Sequence, residues 1–204
     1  LLALLGWNDG TEQEIFTKEE MIEKFSLDRV HSGGAKFDYE KAKWFNHEWI
    51  KKLNVESLRL NVKSFLSEKG ITVTDDAVLD KVIALVKDRC TLLPDFYEHS
   101  HFFFKAPVEI DTASILPKWN EAKKLFFNEL IRTYELTTIW NAGEIERALK
   151  EMAAINQIKP GELMLPFRIM LVGGKFGPGV FEIAEILGKE ETVARIATTL
   201  SRLS

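Results

Sequence analysis

Apolar residues recur at helical spacing along nearly the whole chain. Thr17 and Glu20 form a capping-box pair for a helix over Lys18 to Phe25, and Asp38 is placed to cap another whose Ala42, Phe45, Trp49 and Leu53 share a face. The loop between these two runs from His31 to Lys36 through Ser32, Gly33, Gly34 and Ala35. Val55, Leu58, Val62, Phe65 and Leu66 predict an amphipathic helix that stops at Gly70. Thr74 starts the next, which carries Val78, Val82, Leu85 and Val86 and ends near Arg89. From Ala106-Pro107 to Pro117 the pattern turns extended and β-branched, and Trp119, Ala122, Phe126 and Leu130 then resume a helical stripe. Asn141 and Glu144 pair at the start of a helix through Ala154, Pro160 opens another, and Gly173 and Gly188 close the last two turns. The pattern predicts an all-α chain in three units, 1–53, 54–112 and 113–204.

The densest apolar stretch runs from Leu163 to Ile196 and is split by Gly173-Gly174-Lys175-Phe176-Gly177-Pro178-Gly179. Glycines there permit left-handed backbone and close approach of another molecule. Pro178 is suited to a first helical turn, which would set Gly179 and Val180 at a helix N-terminus with outward N–H donors. Three readings compete. The plainest is a turn between packed helices. A phosphate-binding P-loop needs Gly-x-x-x-x-Gly-Lys-Ser/Thr after a strand, whereas here Lys175 precedes the turn and no strand does. A helix-turn-helix would place Ala184, Gly188 and Val193 at packing positions, but its second helix presents Lys189, Glu190, Glu191, Thr192 and Arg195, a mixed and partly acidic face unlike a major-groove reader.

Composition narrows the classes. The 204 residues are 46% hydrophobic and 28% charged, ordinary for a globular protein. No apolar run approaches the roughly 18 residues of a membrane span. The opening Leu-Leu-Ala-Leu-Leu lacks the basic flank and cleavage site of a secretory signal, and the start without Met suggests a fragment of a longer chain. A lone cysteine, Cys90, leaves no internal disulfide or multi-cysteine zinc site and fits a reducing, cytoplasmic setting. A formal net charge of −4 is not the footprint of a protein that coats nucleic acid, so any RNA contact must be local and dependent on shape.

Catalytic constellations are missing from the sequence. His99-x-His101 has metal-ligand character, but it adjoins Phe102, Phe103 and Phe104 without a cysteine partner, which favours packing or capping. Adjacent carboxylates such as Glu19/Glu20 and Glu190/Glu191 read as solvated helix faces. No Gly-x-Ser-x-Gly elbow or dinucleotide fingerprint occurs. These residues describe a binding module.

Several motifs together carry a family likeness: Leu5-Gly6-Trp7, Glu14-Ile15-Phe16, the run from Phe25 to Val30, Gly34-Ala35-Lys36-Phe37-Asp38, the segment Val86 to Phe96, and Gly177-Pro178-Gly179-Val180-Phe181-Glu182. In this combination, over essentially its whole length, the chain resembles the part of bacterial-type glutamyl-tRNA synthetases that follows the second ATP-binding signature. The resemblance implies a stem-contact region over 1–53 and two helical bundles of the α-helix cage type that hold the anticodon loop. It also implies a catalytic part elsewhere, since neither the His-x-Gly-His nor the Lys-x-Ser-Lys signature occurs here. Glutamate–tRNA ligase activity, ATP and Mg then belong to the parent protein, and this segment has no cofactor of its own. The implied partner is glutamate tRNA, with no DNA or membrane and a monomeric state.

By position in the family, Arg89 corresponds to the arginine used at the third anticodon base. A planar guanidinium can read a base edge bidentately. On the residues alone Arg89 is a helix-terminal charge favouring the macrodipole. Arg168 and the turn of Gly177, Pro178 and Val180 match positions that meet the other anticodon bases, with Pro178 and Val180 as apolar contacts to unstacked bases. Some relatives carry threonine where this chain has Gly177, so only its backbone can serve. Val180 reads equally as a core residue. In the stem-contact region Arg29, Lys36, Lys41 and Lys43 are candidates for phosphate contacts, against the alternative of a solvated helix face interspersed with Glu40 and Glu48. The rival to an RNA role is a helical protein-interaction or DNA-binding module that shares only the fold.

Overall fold

The computed structural model describes residues 2–31, 33 and 36–203. Among them are eleven α-helices and short 3-10 turns, with no strand beyond a single antiparallel bridge between Trp7 and Val30. The all-α expectation holds.

The first helix, α1 (Lys18–Lys24), has the reciprocal Thr17/Glu20 capping box, and α2 (Tyr39–Lys52) starts where the Asp38 carboxylate accepts from the N–H groups of Glu40 and Lys41. Phe45 and Ile50 are the buried residues of α2, while Trp49 and Leu53 remain partly exposed, so the predicted face is rotated. Three helices follow as a bundle, α3 (Val55–Glu68), α4 (Asp76–Val86) and α5 (Leu93–Phe104). Asp75 caps α4, one residue beyond the predicted Thr74, because its carboxylate accepts from both Ala77 and Val78 N–H. Leu58, Val62 and Leu66 of α3 pack with Leu79, Ile83 and Val86 of α4 and Phe96 of α5 in one apolar cluster. Each fully buried leucine there stabilises the bundle by about 1.5–3 kcal/mol.

The segment predicted as extended is partly helical. Asp111 caps a single turn, α6 (Thr112–Ile115), by accepting from Ser114 N–H and hydroxyl, and a short-range cap of this kind overrides weak β propensity.

A larger cluster is formed by α7 (Glu121–Leu136), α8 (Ala142–Ile155), α9 (Pro160–Val172), α10 (Val180–Leu187) and α11 (Lys189–Arg202). Lys123 is buried in α7 in place of the predicted Ala122, and its ammonium donates to the Lys118 carbonyl at 2.7 Å and pairs with Glu162 at 3.1 Å. That contact ties the start of α9 to α7. At the other side of α9, Leu163, Phe167, Ile169, Met170, Leu171 and Val172 are all buried, which explains its apolar character all round. Phe102 of α5 belongs to this second cluster, and Phe103 packs against both. Thus α5 carries one core into the other, and the Gly-rich hinge after α9 sits at that junction.

Candidate nucleic-acid interface

Arg168 is the single charged residue within the apolar run Leu163–Val172, and a half-buried guanidinium in such a helix requires partners. Its Nη1 donates to three consecutive carbonyls of the hinge, Phe176 at 3.1 Å, Gly177 at 3.3 Å and Pro178 at 2.6 Å. Two hydrogens shared by three acceptors fix the curvature of the turn. Burial lowers the pKa of Arg168, the neighbouring charge of Arg89 lowers it further, and Glu182 opposes them. The guanidinium nevertheless stays protonated, since its ordinary range is far above neutrality.

The hinge backbone follows from its glycines at two places. Gly173 ends α9 with φ +82°, and Gly177 has φ +99°, both in the region that favours glycine. A Cβ at Gly177 would also meet Ile183 Cδ1 at 3.3 Å and Phe102 Cζ at 3.4 Å. The helix α10 opens two residues later than predicted: Gly179 is its N-cap and Val180 its first residue, with Pro178 outside. The Glu182 carboxylate folds back over Gly179, so this helix N-terminus is already faced by an anionic group of its own. A free phosphate is therefore a poor occupant.

Pro178 and Val180 are both buried in the chain without RNA. Val180 lies in the second core cluster, as the reading of it as a core residue expects. The aromatic ring that the hinge does present is Phe176, 41% exposed.

Arg89 ends a one-turn 3-10 helix (Lys87–Arg89) that continues α4, and it is exposed with no hydrogen bond or ion pair among the described residues. Its backbone position is nonetheless well held. Cys90, next in sequence, is fully buried, and its thiol donates to the Val86 carbonyl at 3.3 Å. Asp95 accepts from the N–H groups of Thr91 and Leu92 at 2.7 and 2.9 Å. From α2, His47 Nδ1 donates to the Cys90 carbonyl at 2.9 Å, and the Asn46 amide donates to the Thr91 carbonyl. A free guanidinium on a clamped turn thus stands beside the Arg168-braced hinge.

The stem-contact candidates are less free. Arg29 donates to the Asp9 carbonyl, Lys41 pairs with Glu14, and Lys43 pairs with Glu40 at 2.8 Å. Lys36 is exposed and unpaired among the described residues, whereas Ser32, Gly34 and Ala35 of the adjoining loop lie outside them. Exposed pairs such as Lys43–Glu40 are worth about 0–1 kcal/mol, so a phosphate can replace the carboxylate at little cost.

One alternative loses ground on geometry. Thr192, Arg195, Ile196, Thr199 and Leu200 of α11 are buried, and Arg195 is engaged by Glu191 at 2.7 Å and the Leu171 carbonyl at 2.5 Å. The Arg195 face of α11 is therefore closed to a DNA groove. No cluster of three metal-ligating residues occurs among the described residues. His101 instead stacks between Tyr97 and Phe176, an arrangement that Tyr97/His101 spacing on α5 signals but that the hinge partner does not reveal in sequence.

Comparison with known proteins identifies the family of the fold. A family model described as "Anticodon binding domain" matches residues 39–200. The glutamate–tRNA ligases of Flavobacterium johnsoniae and Flavobacterium psychrophilum are 43% and 41% identical over 202 residues, 99% of this chain and 40% of each relative. A crystal structure of a glutamate tRNA ligase from Elizabethkingia meningosepticum, in complex with its amino acid, superimposes with a TM-score of 0.92 at 33% identity, covering 100% of this chain and 40% of that one. The chain spans about two fifths of the length of the curated relatives it matches.

Proposed function

Because this chain belongs to the anticodon-binding-domain family, we propose that it is the portion of a glutamate–tRNA ligase that grips the anticodon loop of glutamate tRNA. The observation that carries the reading is Arg89, an exposed, unpaired guanidinium on a rigid turn next to the hinge held by Arg168. In this reading Arg89 reads the third anticodon base through its bidentate donors, and the remaining N–H groups of Arg168 with the backbone at Gly177 meet the other two. Pro178 and Val180 shape the turn from within. Lys36, Lys41, Lys43 and Arg29 meet backbone phosphates of the inner corner of the tRNA, with 1–53 as the stem-contact region and the bundles 54–112 and 113–204 as the two halves of the cage. The parent enzyme joins glutamate to its tRNA in the cytoplasm, as a monomer, with ATP and Mg handled outside this segment.

Fluorescence titration of the chain with glutamate tRNA and with a variant altered at the third anticodon base tests this. Preference for the native anticodon supports it. Equal binding of both RNAs and of an unrelated duplex defeats it.

A further inference from the structure

Beside the hinge, on the side of α5 and the 105–109 segment, lies a cavity of about 430 Å³ lined by Tyr97, His101 and Phe176 together with Lys69 and Lys105. Gly173 forms part of its wall. Gly173 admits the Glu109 carbonyl and Pro107 where a Cβ would collide with them, and Gly174 lets the Phe176 ring fold back over the chain. The fold of the hinge therefore creates this space as well as the turn that Arg168 braces.

Three rings form a ladder along one wall. Tyr97 and His101 stack at 5.1 Å between centroids with planes 24° apart, and His101 and Phe176 continue the stack at 6.1 Å and 30°. Phe176 is anchored from below by Phe102 at 5.9 Å, and its ring is 41% exposed. A ring supported by His101 and Phe102 that keeps this much surface exposed offers area on which another flat π system can stack. His101 Nδ1 donates to the Tyr97 carbonyl at 3.0 Å, which fixes the ring tautomer and leaves Nε2 as a polar edge beside the platform. Lys69 and Lys105 supply cations at the rim, while Glu98 and Glu109 also line it, so formal charge is balanced. Stacking, and not charge, must then dominate recognition.

We propose that this cavity takes one unpaired nucleotide, its base stacked on Phe176 and its phosphate between Lys69 and Lys105. This rests on the anticodon-loop reading and extends it: since the hinge joins the cavity to the Arg89/Arg168 surface, the nucleotide is one that flanks the anticodon triplet in the same loop. Phe176 contributes affinity without reading the triplet.

The test is a set of affinities for the anticodon stem-loop RNA, native, altered at the third triplet base, and abasic at each loop nucleotide outside the triplet, measured with the unaltered chain, Phe176→Ala, Phe176→Leu and Arg89→Ala. Unchanged thermal unfolding midpoints show that the variants are folded. Phe176→Ala is expected to weaken binding about tenfold, within the range for loss of one stacked base. Phe176→Leu keeps the bulk and loses most of the same affinity. At one flanking position the abasic RNA should cost the unaltered chain a similar factor and cost Phe176→Ala nothing further. Triplet discrimination should survive in Phe176→Ala and vanish in Arg89→Ala. If Phe176→Ala binds as tightly as the unaltered chain, or if its loss multiplies with the abasic loss at every position, the nucleotide site is overturned while the anticodon reading stands. If the unaltered chain shows no preference for the native triplet, both fall. A free nucleoside monophosphate serves as a further arm: saturable binding that Phe176→Ala removes, with no effect on RNA affinity, would assign the cavity to free nucleotides and overturn the RNA assignment.

Discussion

Arg168 and Pro178, ten residues apart, are joined by a 2.6 Å hydrogen bond from guanidinium to backbone carbonyl, and this bond closes the hinge that follows α9. The same Nη1 holds the carbonyls of Phe176 and Gly177. A side chain matched to base contact is thus first a brace for the turn.

That dual position has a stability consequence. Arg168→Ala should destabilise the chain by about 1–3 kcal/mol, because hydrogen bonds to a charged group are lost and the hinge carbonyls lose their donor. Arg168→Lys should recover part of this, since an ammonium donates but lacks the planar fork. Urea denaturation checks both. Wild-type stability in Arg168→Ala would remove the brace role.

Gly177→Ala should cost about 1–3 kcal/mol on the same assay. The residue would be held at φ +99°, and its methyl would crowd Ile183 and Phe102. Gly6, with nothing within 4 Å of a built Cβ and a φ of −128°, is the control, and its alanine variant should be close to neutral.

Cys90 should be inert in the folded chain. Burial pushes its thiol from an ordinary value near 9 up to about 12, with the Asp95 carboxylate adding to the effect. At pH 8 its thiolate is about a thousandfold scarcer than at an unperturbed site, and alkylation by iodoacetamide should slow at least as much. Rapid labelling of native protein would contradict this. Labelling in urea should be fast.

Acid sensitivity should centre partly on Asp9. The Thr11 hydroxyl, its backbone N–H and Lys24 hold the carboxyl at about 2, below its ordinary 3.8. A depressed folded-state pKa contributes stability that is full above the unfolded value and lost as pH falls through the folded one. Asp9→Asn should therefore be less stable than the parent at pH 5 to 7, with the gap narrowing from about pH 4 towards pH 2. A gap independent of pH across that window would show that ionisation of Asp9 is not its source.

Local signals were legible in the sequence, and contacts between distant segments were not. The Thr17/Glu20 box, the Asp38 and Asn141 caps and the Gly173 and Gly188 stops each depend on residues within a turn of one another, and all are present. Thr74 loses to Asp75 by one position, and Asp111 imposes helix on a stretch whose composition reads as extended. The burial of Pro178 and Val180 and the exposure of Phe176 beside them depend on α9 and α5 meeting at the hinge. No periodicity in the hinge itself records that meeting. Arg89 was legible as a candidate only through family likeness, since its distinguishing property is a lack of partners on a turn clamped from α2.

The central claim is that Arg89 reads an anticodon base. Arg89 is exposed and unpaired, so Arg89→Ala should leave the unfolding midpoint unchanged. Its affinity for native glutamate tRNA should fall by about 1–3 kcal/mol, and the preference over a tRNA altered at the third anticodon base should disappear. The direct measurement is the ratio of affinities for these two RNAs, taken with the unaltered chain and with Arg89→Ala at one salt concentration. The account predicts a ratio well above one for the former and near one for the latter. The same ratio in both proteins would contradict it.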